Sequence, residues 1–421
     1  MSAPNCLDID KLSAVLPNGQ RVLRSVSLSV QPGEVRALVG ESGAGKTMIG
    51  KAVLGVLPSS VRVVEGDIVL EGQDLGRLEP KARRTLVGAR TALIPQDPLT
   101  ALNPSRRIGP QITDRLVDIL GWEKARATAR AAEILAEVDI PQPERVMRLY
   151  PHELSGGMRQ RILIASAFAA EPKLIVADEP TTALDVTVQK QILHLISQMQ
   201  ARHGTALLFV THDLGVVAKI CDSLSVLYAG KVVEETTVQK FFAAPQHPYS
   251  AALLAATPRH TDAGASLEPV TRFRRKSPLT MPPGGGMVEA LFRIEDLRVD
   301  VPDMTRKPLF GAAPRLEILK GLSFDIPRGT VLGIVGGSGS GKTTLGRALV
   351  RLIKPSGGAI AFDGKDITHL SDEAMRPLRR RIQMIFQDPM SSLNPRLTVG
   401  RIVGAALGLR SGDRRVSEAL E

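Results

Sequence analysis

Two glycine-rich segments have a composition and spacing that suit phosphate binding. Residues 40–47 read GESGAGKT and residues 336–343 read GGSGSGKT, so both fit the pattern G-x-x-x-x-G-K-[ST]. Glycines let consecutive backbone N–H groups curl around an anion, and a helix that follows points its positive end at it. In this pattern the lysine reaches the β- and γ-phosphates of a nucleoside triphosphate, and the hydroxyl after it binds Mg²⁺. The predicted nucleotide ligands are Gly40, Ser42, Gly43, Gly45, Lys46 and Thr47 in the first segment, and Gly336, Ser338, Gly339, Gly341, Lys342, Thr343 and Thr344 in the second.

The two segments belong to an internal repeat. Val35–Pro58 matches Val331–Pro355, and the lysines of the two glycine-rich segments are 296 residues apart. Ile94–Pro104 (IPQDPLTALNP) likewise matches Ile385–Pro395 (IFQDPMSSLNP) at an offset of 291 residues. A period this long is far beyond that of a solenoid, so it indicates two copies of one domain.

A stretch between the two copies has the composition of a linker. Residues 259–286 are rich in proline, glycine, serine and charge, without a sustained apolar period. We therefore predict a complete domain over residues 1–258, a flexible linker over 259–286 and a partial second domain over 287–421.

Strands and helices alternate in the predicted secondary structure, which is typical of an α/β fold with a parallel sheet. The predicted buried strands are Val35–Val39, Leu174–Ala177, Ala206–Val210 and Val331–Val335. The predicted helices are Thr47–Leu57, Gln189–Gln200 and Thr343–Ile353, and Thr113–Glu137 is predicted to be a helical insert.

Composition excludes several classes of protein. Of the 421 residues, 43% are hydrophobic, which indicates a globular chain with a substantial core. Two cysteines exclude a disulfide scaffold or a four-cysteine metal cluster and fit a reducing compartment. No apolar run reaches the roughly 18–20 residues that span a bilayer, and no secretory signal is recognisable at the start. The net charge of +11 suits phosphate ligands, nucleic acid or an anionic membrane, and charge alone does not choose among them.

Further short motifs follow one another in the first copy. They are Gln96 after a strand-like segment, Leu154–Met158 (LSGGM) before a helical segment, the apolar run Leu174–Asp178 leading into Glu179, Thr182–Asp185 (TALD), and His212 after a strand. Together with the glycine-rich segments, this ordered set resembles the ATP-binding-cassette (ABC) ATPases. The motifs correspond to that family's Q-loop, signature, Walker B strand with its catalytic glutamate, D-loop and switch histidine.

The resemblance implies a fold and a reaction. The fold is a P-loop NTPase domain of the ABC type, with a parallel sheet core, an antiparallel β subdomain and a helical insert, in two tandem copies. The reaction is phosphoryl transfer from ATP to water with Mg²⁺ as cofactor. Glu179 would polarise the attacking water as general base, His212 would contact the γ-phosphate, and Gln96 would sense the Mg²⁺ and the water.

The remaining implied roles concern phosphate and metal binding. Ser155, Gly156 and Gly157 would bind the γ-phosphate of ATP held by an opposing domain, and Gln387 is the Q-loop residue of the second copy. The implied Mg²⁺ ligands are Thr47, Gln96, Asp178, Thr343 and Gln387.

A narrower resemblance is carried by His247–Pro258 (HPYSAALLAATP). It is similar to the terminal segment of ABC ATPases that serve oligopeptide, dipeptide and nickel importers, although a proline-anchored amphipathic tail helix would look the same. Tyr150–Leu154 (YPHEL) and the Gln-Asp-Pro phrase of both copies support the same subfamily. The resemblance implies two transmembrane permease subunits as partners, a solute-binding protein acting indirectly, and no nucleic acid. It implies a peripheral position on the cytoplasmic face of the inner membrane.

The second copy departs from the family pattern. The 291-residue offset places the counterpart of Leu154 beyond residue 421, so we expect a truncated copy with a P-loop and a Q-loop only. The family's site pairs the P-loop of one cassette with the signature of another, which calls for a second ATPase domain or a homodimer partner. Two alternatives stay open: a nucleotide-binding remnant without hydrolysis, and an ABC ATPase acting on ribosomes or nucleic acid, which would carry a charged helical linker and no His-Pro-Tyr tail.

Overall fold

The computed structural model describes residues 4–181, 186–257, 290–302, 315–337, 340–386, 392–410 and 412–420. Several predictions concern residues outside these ranges, namely the linker 259–286, the D-loop Thr182–Asp185, and the ligands Ser338, Gly339 and Gln387. The chain divides into two compact units, Met1–Lys276 and Ser277–Glu421, which are described one at a time.

The first unit contains ten described strands and eleven described α-helices. The strands are β1 (Leu7–Val15), β2 (Arg21–Val30), β3 (Val35–Val39), β4 (Arg62–Leu70), β5 (Gln73–Asp74), β6 (Thr91–Ile94), β7 (Leu174–Asp178), β8 (Ala206–Val210), β9 (Ser223–Tyr228) and β10 (Lys231–Thr237). The helices are α1 (Lys46–Val53), α2 (Pro80–Arg90), α3 (Pro98–Ala101), α4 (Ile108–Asp118), α5 (Lys124–Glu137), α6 (Pro143–Val146), α7 (Gly156–Phe168), α8 (Val186–His203), α9 (Leu214–Ile220), α10 (Val238–Ala243) and α11 (Pro248–Ala255).

A six-stranded sheet forms the centre of this unit, in the order β10-β9-β3-β8-β7-β6. Its strands are parallel from β9 to β6, and β10 returns antiparallel to β9. The predictions of strands at Val35–Val39 and Ala206–Val210 are confirmed, and the strand predicted at Leu174 extends one residue further, to Asp178. All five residues of β3 are buried, as expected for a strand covered on both faces.

The side chains of the parallel strands alternate between two apolar cores. Ile175 and Phe209 point to the face covered by α5, α7 and α8. Val176 and Leu208 point to the opposite face, where they pack with α1 and with strands β1, β2 and β4. This two-sided burial explains why β7 and β8 read as continuous apolar runs rather than as alternating ones.

An antiparallel sheet and a group of helices complete the first unit. The antiparallel sheet has the order β2-β1-β4-β5. The helical insert predicted over Thr113–Glu137 is present as α4 and α5, and it begins earlier than predicted. Helix α1 ends four residues before the predicted Leu57, because Gly55 follows the cap with a left-handed φ of 68° and terminates the helix.

The second unit contains one described sheet, which is antiparallel and has the order β12-β11-β13-β14. Its elements are β11 (Ala290–Pro302), β12 (Arg315–Pro327), α12 (Lys342–Leu349), β13 (Gly357–Phe362), β14 (Lys365–Asp366), α13 (Asp372–Met375), α14 (Val399–Leu407) and α15 (Arg414–Glu418). The core of this unit packs Leu345 and Ala348 of α12 against Phe292, Ile294 and Ile360 of the sheet.

The prediction of a buried strand at Val331–Val335 is wrong. These residues have no regular secondary structure, and Val335 is 94% exposed, whereas its counterpart Val39 in β3 is 0% exposed. The physical reason lies in the neighbours: β3 is hydrogen-bonded to β8 on one side and to β9 on the other. None of the described strands of the second unit pairs with Val331–Val335, so this apolar segment has no neighbouring strand with which to form backbone hydrogen bonds.

This difference predicts a contrast in amide hydrogen exchange between the two copies. We expect the amides of Val35–Val39 to exchange at least about 100-fold more slowly than those of Val331–Val335, because only the former are held in a two-sided ladder. Mass spectrometry of the exchanged chain measures this directly. Helices α1 and α12 are the matched control, since both are hydrogen-bonded internally and should be protected. Equal protection of the two apolar segments would contradict the prediction.

Candidate functional site

Four parallel strands bring the predicted site residues to one edge of the central sheet. The glycine-rich loop follows β3, Gln96 follows β6, Asp178 ends β7 and is followed by Glu179, and His212 follows β8. The carboxyl ends of parallel strands lie at the same edge of a sheet, and ligands of open α/β sheets bind there.

The loop Gly40–Thr47 has a backbone that depends on its glycines. A Cβ on Gly40 would lie 2.1 Å from the carbonyl oxygen of Leu227, and Gly45 has a φ of 105°. Both positions therefore exclude a side chain. The loop wraps around its own lysine, since Lys46 Nζ donates hydrogen bonds to the carbonyl oxygens of Gly40 (2.8 Å) and Glu41 (2.9 Å).

Lys46 is the buried cation of the site. Its side chain is almost fully enclosed, and burial lowers its pKa, while the carboxylates of Glu179 and Asp178 act in the opposite direction. A buried ammonium that faces carboxylates and is held by carbonyl oxygens of a glycine-rich loop is placed to accept a polyanion such as a triphosphate.

Thr47 and Asp178 bring two side-chain oxygens together beside the loop. Thr47 Oγ1 donates a hydrogen bond to Asp178 Oδ1 at 3.0 Å. Burial is the main cause that raises the pKa of Asp178, and the Thr47 hydroxyl partly offsets it. The described residues contain no group of three or more His, Cys, Asp or Glu side chains able to hold a metal. A hydroxyl beside a carboxylate suits Mg²⁺, which proteins commonly hold with one or two carboxylates plus substrate phosphates.

Glu179 lies between Gln96 and His212. Its Oε2 accepts a hydrogen bond from Gln96 Nε2 at 3.3 Å, and its Oε1 lies 3.1 Å from His212 Nδ1. The Glu179 backbone is left-handed (φ 45°), and its N–H donates to the carbonyl oxygen of Val210 at 2.9 Å. A non-glycine residue in this region costs on the order of 1–3 kcal/mol. The structure thus brings the three predicted catalytic side chains together.

The signature residues lie at a helix N-terminus. Ser155 caps α7, and its Oγ accepts the N–H of Met158 at 3.3 Å. A Cβ on Gly156 would meet nothing within 4 Å, and its φ is not positive, so neither packing nor backbone conformation within this chain requires glycine there. Among the hydrogen bonds of the described residues, none joins Ser155, Gly156 or Gly157 to the glycine-rich loop.

The second glycine-rich segment repeats the lysine geometry of the first. Lys342 Nζ donates to the carbonyl oxygens of Gly336 (2.6 Å) and Gly337 (2.7 Å). Gly341 has a φ of 91° and precedes α12, whose first turn contains Thr343 and Thr344. Lys342 is less buried than Lys46.

Two residues near the site were not predicted from the sequence to lie there. Gln160 of α7 is fully buried, and its Nε2 donates to the carbonyl oxygen of Pro180, the residue after Glu179, at 2.8 Å. Tyr249 Oη accepts the N–H of Glu41 in the glycine-rich loop at 3.0 Å. The sequence held a signal for each of them. Gln160 is a polar side chain within an apolar helical run, and a buried polar side chain requires a hydrogen-bond partner. Tyr249 belongs to the His-Pro-Tyr segment, for which no contact had been predicted.

Comparison with known proteins identifies the family. The family model described as "ABC transporter" matches residues 23–182 and 319–421. The chain is 42% identical over 408 residues to the peptidoglycan transport ATP-binding protein YejF of Agrobacterium fabrum, covering 94% of this chain and 70% of that protein. It is 40% identical over 422 residues to the glutathione import ATP-binding protein GsiA of Escherichia coli K12, covering 95% of this chain and 67% of that protein.

A solved structure shows the same fold. The structure of cbiO1 from Clostridium perfringens, described as part of the ABC transporter complex cbiONQ, has a TM-score of 0.51 and 24% sequence identity. The match covers 57% of this chain and 91% of that chain. Within the described residues, no helix is long and apolar enough to cross a membrane. By its two matched segments and its relatives, the chain belongs to the ABC transporter family of ATP-binding proteins.

Proposed function

We propose that this chain is the ATP-binding and ATP-hydrolysing subunit of an ABC importer for peptides or related small solutes. The observation that carries the proposal is the position of Glu179, which contacts Gln96 and His212 at the sheet edge that also holds Lys46 and Thr47. Phosphoryl transfer to water needs a loop that binds the phosphates and, beside it, a carboxylate held in position to activate the water.

The site residues have different roles in the proposed hydrolysis of ATP. Lys46 and the backbone N–H groups of its loop bind the β- and γ-phosphates and offset their charge. Glu179 accepts a proton from the attacking water, and its contacts with Gln96 and His212 hold the carboxylate in one orientation. His212, which is more exposed than Glu179, would contact the γ-phosphate.

Thr47 and Asp178 would hold the Mg²⁺ that accompanies ATP, and their 3.0 Å contact brings two suitable oxygens together. When bound, Mg²⁺ neutralises charge on the phosphate oxygens. The assignment of Gln96 as a further ligand is part of the same proposal.

The proposal includes a second cassette. Ser155, Gly156 and Gly157 would bind the γ-phosphate of ATP held by another domain, and the open surface at Gly156 supports this because a phosphate needs close access to the backbone there. Two copies of this chain would supply two such sites by pairing first domain with first domain.

The importer partners are two transmembrane permease subunits, with a solute-binding protein acting through them. This places the chain on the cytoplasmic face of the inner membrane as a peripheral subunit. The named functions of the relatives, glutathione import and peptidoglycan transport, favour peptides and peptide-like solutes as the cargo.

An uptake experiment tests the proposed function. The chain is expressed in a strain that lacks its own copy but retains the permeases, and the uptake of labelled glutathione and of a labelled dipeptide is measured. We expect the wild type to restore uptake of at least one of them and Glu179→Gln at equal expression to restore neither. Restoration by the Glu179→Gln variant would contradict coupling to hydrolysis, and ATP binding without hydrolysis or uptake would favour the nucleotide-binding remnant instead.

A further inference from the structure

The His-Pro-Tyr segment is built into the first domain by a set of local contacts. His247 caps α11, with its ring Nδ1 accepting the N–H of Tyr249 at 3.1 Å, and Pro248 occupies the first helical position. Glu234 of β10 is buried, and its carboxylate accepts the N–H groups of Gln246 (3.0 Å) and His247 (2.9 Å). These contacts fix the start of α11 against the central sheet.

Tyr249 extends from this helix to the phosphate-binding loop. Its side chain is buried, its ring packs on that of Tyr228 with the centroids 4.4 Å apart, and its Oη accepts the N–H of Glu41 at 3.0 Å. The contact joins residues 208 positions apart in the chain. A helix after the last described strand of the first unit therefore touches the second residue of the glycine-rich loop.

The contact holds one particular peptide group. The N–H of Glu41 and the carbonyl oxygen of Gly40 belong to the same peptide plane, and Lys46 Nζ donates to that oxygen at 2.8 Å. Tyr249 thus binds one side of the plane and Lys46 binds the other. Gly40 has no Cβ and a φ of 150°, so its own conformational preference does little to fix the orientation of this plane.

The orientation of that plane matters for nucleotide binding. The orientation of the peptide plane sets the direction of the Gly40 carbonyl, which holds the Lys46 ammonium. It also sets the direction of the backbone at the start of the loop. A loop that is already in its binding conformation loses less entropy when a phosphate enters, and it therefore binds the phosphate more tightly.

We propose that Tyr249 is a positioning residue of the nucleotide site, and that the affinity of the first domain for ATP depends on the docking of α11 through the hydroxyl of Tyr249. The inference rests on the proposed function, since it takes Gly40–Thr47 to be an ATP-binding loop. It assigns the His-Pro-Tyr segment a role within the chain, as the support of the loop.

The first test removes the hydroxyl and keeps the ring. The full chain carries Lys342→Ala so that binding reports on the first loop, and its affinity for the non-hydrolysable analogue AMP-PNP is measured by calorimetry. We expect Tyr249→Phe to weaken binding about 3- to 10-fold, which corresponds to about 0.7–1.4 kcal/mol. Tyr228→Phe is the matched control, because it removes a hydroxyl from the partner ring, which is 47% exposed, and it should change the affinity less than about twofold.

Melting temperatures separate positioning from general stability. The proposal requires the affinity to fall in Tyr249→Phe while its melting temperature stays close to that of Tyr228→Phe. An unchanged or tighter affinity in Tyr249→Phe overturns the proposal. A fall that only parallels a loss of folded protein does the same.

A second variant acts through the helix and keeps the proposal testable if Tyr249→Phe folds poorly. Glu234→Gln weakens the anchor of α11 and keeps the Tyr249 side chain itself, so it should loosen the contact of Tyr249 with Glu41 and lower the affinity for AMP-PNP. An unchanged affinity in this single variant overturns the proposal. In a Tyr249→Phe background Glu234→Gln should lower the affinity for AMP-PNP no further, because the hydrogen bond between the Tyr249 hydroxyl and Glu41 is already absent. Additive effects overturn the proposal.

The outcomes distinguish this inference from the proposed function. If the chain with Lys342→Ala alone does not bind AMP-PNP, the proposed function fails, and this inference fails with it. If that chain binds and Tyr249→Phe binds equally well, only this inference fails.

Discussion

Replacing Glu179 with glutamine should lower the rate of ATP hydrolysis by about 10²- to 10⁴-fold and leave ATP binding intact. Glutamine has the size of glutamate and can keep contacts with Gln96 and His212, which lie 3.3 Å and 3.1 Å from the Glu179 carboxylate. It cannot accept a proton from the attacking water. The measurement is phosphate release under saturating ATP, together with nucleotide binding by calorimetry.

The control for this variant is the same substitution at a similar backbone position elsewhere. Glu171 is also left-handed, with a φ of 49°, but its side chain is exposed and pairs with Arg130 outside the site. Glu171→Gln should therefore hydrolyse ATP at the wild-type rate. A Glu179→Gln variant that retained more than about a tenth of the wild-type rate would exclude Glu179 as the general base.

Replacing Lys46 with alanine should weaken nucleotide binding at the first loop. A hydrogen bond to a charged group is worth about 1.5–3 kcal/mol, so the loss of the ammonium predicts binding roughly 10- to 150-fold weaker. Hydrolysis should fall with it, because Glu179, the proposed general base, lies close enough to Lys46 for its charge to act on the ammonium. Titration with AMP-PNP and phosphate release are the two measurements.

The equivalent change in the second copy provides the contrast. Lys342 makes the same contacts with its loop carbonyls, but it is less buried, and the site with Glu179, Gln96 and His212 lies around Lys46. Lys342→Ala should therefore reduce the number of nucleotides bound and leave the loop of the first copy able to bind. If Lys342→Ala lost all binding and Lys46→Ala lost none, the assignment of the two loops would be reversed.

The local features of the site were readable from the sequence. The spacing of glycines, lysine and threonine in residues 40–47 encodes a loop whose backbone turns need glycine, and Gly40 and Gly45 do have conformations that exclude a side chain. The apolar runs of β3, β7 and β8 likewise predicted strands covered on both faces. The loop conformation depends on residues within a few positions, so its prediction needed no distant partner. The strand predictions succeeded because β3, β7 and β8 do find partners in the folded sheet.

The strand predicted at Val331–Val335 is absent, because a local apolar pattern does not report whether distant partner strands are in place. Its sequence is as apolar as that of β3, and a local pattern gives both the same prediction. A parallel strand, however, is stabilised by hydrogen bonds to strands far away in the chain, as β3 is by β8 and β9. Whether such partners are in place is a property of the tertiary structure.

The sequence by itself determined which residues are proposed for the chemistry: a glycine-rich loop, a strand that ends in Asp178 and is followed by Glu179, and the order of the motifs around them. The tertiary structure decided which of these groups meet. It placed Gln96 and His212 on either side of Glu179, turned the Glu179 backbone to a positive φ, and brought Tyr249 to the N–H of Glu41. The physical reason is that side-chain type and spacing act over a few residues, whereas these contacts join strands and helices that only the folded sheet holds side by side.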